Sequence, residues 1–373
     1  MTAALEIREA AGALEALESW LREQGFFAPG GEHLIADLYL GYGLSSTIRR
    51  RQSPAPPEPC SLPLVACTVR EPEYIVTNDN VVSDCGFAIG PWQQTWSAAD
   101  YAEAVRRVRN AIERGDVYQV NLVQHLSAPF AGDPGTLASR LTALTPHNRA
   151  PYRGNGWTIV SGSPELFLAR RGGRVWTCPI KGTRPAGAAS ELARSAKDAA
   201  EHVMIVDLER NDLARVCEPG SVRWPELMAT RALAGVEHMV STVEGTLRQG
   251  VGLAELLGAT FPGGSITGAP KIAAVDLIAE IEPVGRGASM GALGRIHGNG
   301  DLDLALTIRT FAVAEGRIHL WVGGGVVWDS DPQAEIDESW VKADPLLQAI
   351  GAPRAPGAAS AVRPLGPRPV GAR

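Results

Sequence analysis

The stretch that settles the fold class runs from Ser97 to Leu122: Ser-Ala-Ala-Asp-Tyr-Ala-Glu-Ala-Val-Arg-Arg-Val-Arg-Asn-Ala-Ile-Glu-Arg-Gly-Asp-Val-Tyr-Gln-Val-Asn-Leu. Its first part has helical spacing, with Tyr101, Ala104, Val105, Val108 and Ile112 on one face. Ser97 and Asp100 resemble a capping box with Asp in the place of Glu, and Gly115 supplies a C-terminal stop. From Val117 the period changes to two. Tyr118, Val120 and Leu122 face one way, and Gln119 and Asn121 the other. Helices interleaved with long strands favour an α/β or α+β fold.

The same reading extends in both directions. Upstream, Leu14, Leu17, Trp20 and Leu21 keep helical spacing, and His33–Leu40 reads as a strand. Arg49–Pro59 is a basic, then proline-rich loop, and residues 61–85 carry strand-like pieces. Downstream, helical spacing returns from about Ser190 to Leu208. A further helix starts near Pro270, read as its first position, with the stripe Ile272, Val275, Ile278 and Ile281 and a stop at Pro283. Strands are expected over Leu302–Thr310 and Ile318–Val327, and a last helix after Ser330-Asp331-Pro332.

The chain has 373 residues, 45% hydrophobic and 20% charged, as suits a folded enzyme with a large core. Net charge is −6, and no Lys/Arg run offers a nucleic-acid footprint. The five cysteines (Cys60, Cys67, Cys85, Cys178, Cys217) are scattered and form no CxxC pair, so they point to neither a zinc site nor a disulfide framework. Met1–Glu6 lacks a basic n-region and an apolar h-region, and no apolar stretch nears the roughly 20 residues of a membrane span. A cytoplasmic protein is the expectation.

Several residues are candidates for chemistry. Lys181, in Pro179-Ile180-Lys181-Gly182-Thr183, follows the strand-like Arg174–Cys178 and is bracketed by proline and glycine. Dry surroundings would lower its pKa and let the amine attack carbon; otherwise it only carries charge. Glu335 and Glu338 share a helix face with Lys342. They read either as a solvated face with a Glu338–Lys342 pair or as Mg²⁺ ligands, with Glu201 as a third. Gly323-Gly324-Gly325 marks either a tight crossing or a backbone open to an anion. Phe261–Lys271 is glycine-rich without being a Walker A loop, and it stands at a helix N-terminus, which favours anions. Arg309, in an apolar strand, needs a partner: a structural carboxylate, or a substrate carboxylate held bidentately. Glu165 opens an apolar strand, where partial burial would raise its pKa and suit it to proton transfer; the plainer reading is a surface strand end. His238 reads as structural.

Together these segments resemble the chorismate-utilising enzymes, from about Ser97 to Ala349. Asp116–Leu122, Pro179–Thr183, Asp207–Asp212, Phe261–Lys271, Ile308–Thr310 and Gly323–Ser330 match that family in order. The resemblance implies an anthranilate synthase component I-like fold, a large two-sheet β-sandwich flanked by helices around a deep cleft. Residues 1–90 would contribute strands and a helix to the sandwich, 91–350 would form the chorismate-binding catalytic domain, and 351–373 a disordered tail.

Lysine at position 181 resembles the aminodeoxychorismate synthase branch, where anthranilate synthases carry alanine. That likeness implies that Lys181 attacks C2 of chorismate, that ammonia then enters at C4, and that Glu165 is the general acid/base. It implies Mg²⁺ held by Glu201 and Glu338 with Glu335 close by. Substrate contacts are implied at Gly182, Thr183, Arg309, Gly323, Gly324 and Gly325, with Thr267 and His238 as weaker matches. Ammonia would come from a separate glutamine amidotransferase subunit, and the product would lead to 4-aminobenzoate and folate. The rival readings are anthranilate, isochorismate or salicylate synthesis on the same scaffold, or an inactive regulatory homologue. One departure is Gly294-Arg295-Ile296-His297, where relatives often carry tyrosine after the glycine and a hydroxyl residue two places on. Arg295 either supplies a second cation or faces water. No tryptophan-binding segment is evident, so strong inhibition by tryptophan is not expected.

Overall fold

Two antiparallel sheets share one hydrophobic core in the computed structural model, which describes residues 3–70, 86–148, 150–185, 187–233 and 236–352. Most of the expected tail, 353–373, and part of the expected strand region, 71–85, lie outside the described residues.

The larger sheet runs Ala3–Ile7, Val65–Arg70, Ile35–Leu40, Ala292–His297, Leu302–Leu306, Leu166–Arg171, Arg174–Cys178, Val236–Thr246 and Ile180–Pro185. Arg223–Leu233 also pairs with Val236–Thr246. The smaller sheet is built on the long strand Gln119–Gly132, which pairs with Arg317–Val326 along that strand's whole length. Thr310–Ala314, Trp157–Ser161 and Tyr152–Arg153 continue it.

The opening segment folds as its pattern dictates. Ser97 caps the helix Ala98–Glu113 and completes the capping box with Asp100. Tyr101, Ala104, Val105 and Val108 are buried against the core, and the last helix, Pro332–Ala349, is capped by Asp331.

Three expectations need correction. The run Leu302–Thr310 is two strands, Leu302–Leu306 in the larger sheet and Thr310–Ala314 in the smaller. Both halves are apolar because both sheets bury the same core, so the pattern hides the change of sheet. Ser190–Leu208 is two helices, Ala189–Ala193 and Ala196–Ala214, because Ser195 caps the second by accepting the Asp198 N–H at 3.3 Å. Pro270 is the N-cap of Lys271–Ile281, and not its first helical residue.

Candidate active site

Two connections pass from sheet to sheet side by side. One joins Trp157–Ser161 to Leu166–Arg171, and the other joins Leu302–Leu306 to Thr310–Ala314. The Gly162 N–H donates to the Arg309 carbonyl at 2.9 Å, and the Leu306 N–H to the Glu165 carbonyl at 3.0 Å. Glu165 and Arg309 therefore stand together at the seam. Arg309 has φ of 50°, in the left-handed region that non-glycine residues rarely visit. Glu165 is 4% exposed. Burial raises its pKa, while Lys181, the Ser265 hydroxyl, the Ile180 N–H and Arg309 pull it down. Burial lowers the pKa of Arg309, and Glu165 opposes that.

Lys181 is presented by a bulge. The strand Ile180–Pro185 shifts register between Lys181 and Thr183, and Gly182 takes φ of 64°. A Cβ on Gly182 would lie 2.5 Å from Leu192 Cδ1, so the position requires glycine. Buried His238 meets the Gly182 carbonyl through Nδ1 at 3.0 Å, and burial lowers its pKa. It acts as a neutral donor that pins the bulge, and Thr183 stands opposite it in the ladder. The Lys181 Nζ donates to the Ser265 carbonyl at 2.9 Å and lies 3.7 Å from Glu201 Oε1. Ser265 Oγ donates to Glu165 Oε1 at 2.7 Å. One serine thus touches both the lysine and the buried acid.

The glycine run is a sheet edge that no described strand covers, although Lys342 Nζ donates to the Gly323 carbonyl at 2.8 Å. On one side Gly323, Gly324 and Gly325 pair with Val123, Leu122 and Asn121 without a bulge. On the other side the partner strand reaches only Leu320, because its chain leaves for the larger sheet at Arg309. Among the described strands, none covers the glycines there. A Cβ on Gly323 would strike the Leu122 carbonyl at 1.9 Å. One on Gly324 would lie 3.1 Å from Glu338 Oε1, 3.2 Å from Lys342 Nζ and 3.5 Å from Glu335 Oε2. One on Gly325 would lie 2.0 Å from Gln119 Nε2 and 3.1 Å from Glu201 Oε1. The three candidate metal ligands therefore border this run.

Both outer carboxylates are already held. Glu338 pairs with Lys342 at 2.8 Å, and Glu201 accepts from Gln119 Nε2 at 3.1 Å. Among the described residues no three His, Cys, Asp or Glu groups converge on a metal cage. Oxygen-only donors beside glycines nevertheless suit a hard divalent cation, which needs one or two carboxylates and keeps its waters.

The loop 261–271 is closed on itself. Thr267 Oγ1 donates to the Gly263 carbonyl at 3.0 Å. Lys271 donates to the Pro262 carbonyl at 2.6 Å and also binds Asp212, so its charge serves the loop. Beneath it lies Arg286, which the sequence reading missed. Its guanidinium donates to Glu282, to the Ile266 carbonyl at 3.0 Å and to the Asn121 carbonyl at 2.6 Å, and it lies over the Tyr42 ring. Ser265 and Gln119 were also missed as site residues, since their neighbours come from distant segments. Arg295 is on the outer face of its strand, where it pairs with Asp37 at 3.0 Å. It faces water and adds no cation to the cleft.

Residues 55–348 match the family of chorismate binding enzymes. The chain belongs to that family. It is 42% identical over 271 residues to aminodeoxychorismate synthase component 1 of Klebsiella aerogenes, covering 69% of this chain and 59% of that protein. It is also 42% identical over 271 residues to anthranilate synthase component 1 of Thermus thermophilus, covering 69% of this chain and 58% of the relative. The chain thus spans less than two thirds of the length of either. The crystal structure of anthranilate synthase component I from Streptococcus pneumoniae TIGR4 superposes with a TM-score of 0.74 at 27% identity, covering 83% of this chain and 80% of that one. The two-sheet architecture is therefore that of the chorismate-binding enzymes. Among the described residues no helix is long and apolar enough to cross a membrane.

Proposed function

We propose that this chorismate-binding enzyme aminates chorismate at C4 to give 4-amino-4-deoxychorismate, the aminodeoxychorismate synthase reaction. Similarity does not choose between this and anthranilate synthesis, since both kinds of relative are 42% identical. The observation that carries the reading is the amine of Lys181, held on a bulge between Ser265 and Glu201 and one serine away from Glu165. Lys181 attacks C2, both double bonds of the ring diene move one bond along, and the C4–O bond breaks as Glu165 gives its proton to the departing hydroxyl. Ammonia then attacks C4, both double bonds shift back, the C2–N bond breaks to free the Lys181 amine, and the new ammonium returns a proton to Glu165. Arg309 and the open edge at Gly323–Gly325 would hold ring and side-chain carboxylates. We assign Glu201 and Glu338 as the holders of Mg²⁺, with Glu335 beside them; the ion would neutralise carboxylate charge and orient the ring. Ammonia would come from a separate glutamine amidotransferase subunit.

Product chromatography tests this. With chorismate, ammonia and Mg²⁺, the expected product is one from which a lyase releases 4-aminobenzoate. Anthranilate or isochorismate would reject amination at C4, and no chorismate consumption would favour an inactive homologue. Lys181→Ala should lose the 4-amino product by about a hundredfold or more, the scale of a lost catalytic group. The parental rate in that variant would end the nucleophile role.

A further inference from the structure

The proposed chemistry leaves one buried carboxyl beside Glu165 unused. Glu209, on the helix Ala196–Ala214, is 7% exposed. Its Oε2 accepts the Thr177 hydroxyl at 3.1 Å. Its Cγ packs on Gly264, where an added Cβ would stand 3.3 Å away. The next residue, Ser265, donates to Glu165. The two carboxyls thus flank one turn, Gly264–Ile266. Their charged surroundings differ. Lys181 and Arg309 act on Glu165. Around Glu209 stand Glu165, Asp212 and Lys271, and that lysine is already bound to Asp212.

We propose that Glu209 is a positioning residue for Glu165, the member of a buried carboxyl pair that keeps its proton, so that Glu165 is the one that gives and takes it. The proposal rests on the acid–base reading of Glu165. Ionising Glu209 would set a second negative charge across the turn and make Glu165 hold its proton too tightly to pass it to the departing hydroxyl. Burial, then the charges of Glu165 and Asp212, raise the Glu209 pKa to about 8. Below that pH the pair carries at most one negative charge.

The test compares the parent with Glu209→Gln and Glu209→Leu. Chorismate consumption is followed from about pH 6 to about pH 9.5 at constant free ammonia. The parent rate should fall along a one-proton limb centred at about 8. Both variants should lack that limb, whatever their rate at neutral pH. A limb with the same midpoint in Glu209→Gln overturns the proposal, because a purely structural role would lower the rate and leave the limb in place. Melting without substrate separates this from the functional reading. A carboxyl whose folded pKa is raised stabilises fully below its unfolded pKa and loses that contribution as pH climbs to the folded value. The parent melting temperature should therefore decline between 4.5 and about 8, and Glu209→Gln should flatten the decline. A parent that consumes no chorismate sinks the functional reading. An unchanged melting slope in Glu209→Gln sinks the pair.

Discussion

Glu282 with Arg286 and Glu338 with Lys342 are the same motif, an acid followed four residues later by a base, yet they sit in opposite surroundings. The first pair has side chains 2% and 1% exposed; the second has side chains 50% and 38% exposed. Glu282 also accepts the Val123 N–H at 3.0 Å, so the buried pair is satisfied on every side. It ties the loop under the site to the long strand. The outer pair borders the glycine run, where we propose that Glu338 holds Mg²⁺. Burial, more than pairing, decides whether such a pair is structure or equipment.

The largest effect is expected from Arg286→Met. It strands the Glu282 charge in the core and should cost about 3–5 kcal/mol in denaturant unfolding. A loss under about 1 kcal/mol would place this pair in the exposed class. Glu201→Ala comes next. Removing one of the proposed oxygen donors should raise the Mg²⁺ concentration for half-maximal activity by about tenfold, or about 1.4 kcal/mol. An unchanged metal titration refutes the assignment. The smallest effect should be that of Glu338→Gln on stability, less than about 1 kcal/mol in denaturant unfolding, since exposed pairs contribute little. A loss as large as that of Arg286→Met would make the outer pair structural as well.

Local features were legible in the sequence because local rules govern them. The capping box at Ser97, the strand Arg317–Val326 and the last helix follow from spacing and caps. The glycine run was readable as a place of close approach, but not as an open edge, since that depends on where a neighbouring strand departs. Arg309 read as a strand residue because apolar neighbours flank it on both sides of the turn. Ser265 and Glu209 lie in segments that match the family, but neither they nor Arg286 carry a local sign of what they touch. Their importance comes from segments far apart in sequence, such as the contact of Ser265 with Glu165.

That no described strand covers the edge at Gly323–Gly325 has a cost that the fold contains. A bare strand edge invites another chain to add itself, and glycines offer no side chains to repel it. Here the stretch faces the seam between sheets, flanked by the Arg309 connection and by the helix of Glu338, whose Lys342 donates to the Gly323 carbonyl at 2.8 Å. A second polypeptide would have to enter that gap to zip onto it, whereas a small anion needs only to drop in. In the proposed reading, the recess that takes the substrate anion is too confined for pairing with a second chain.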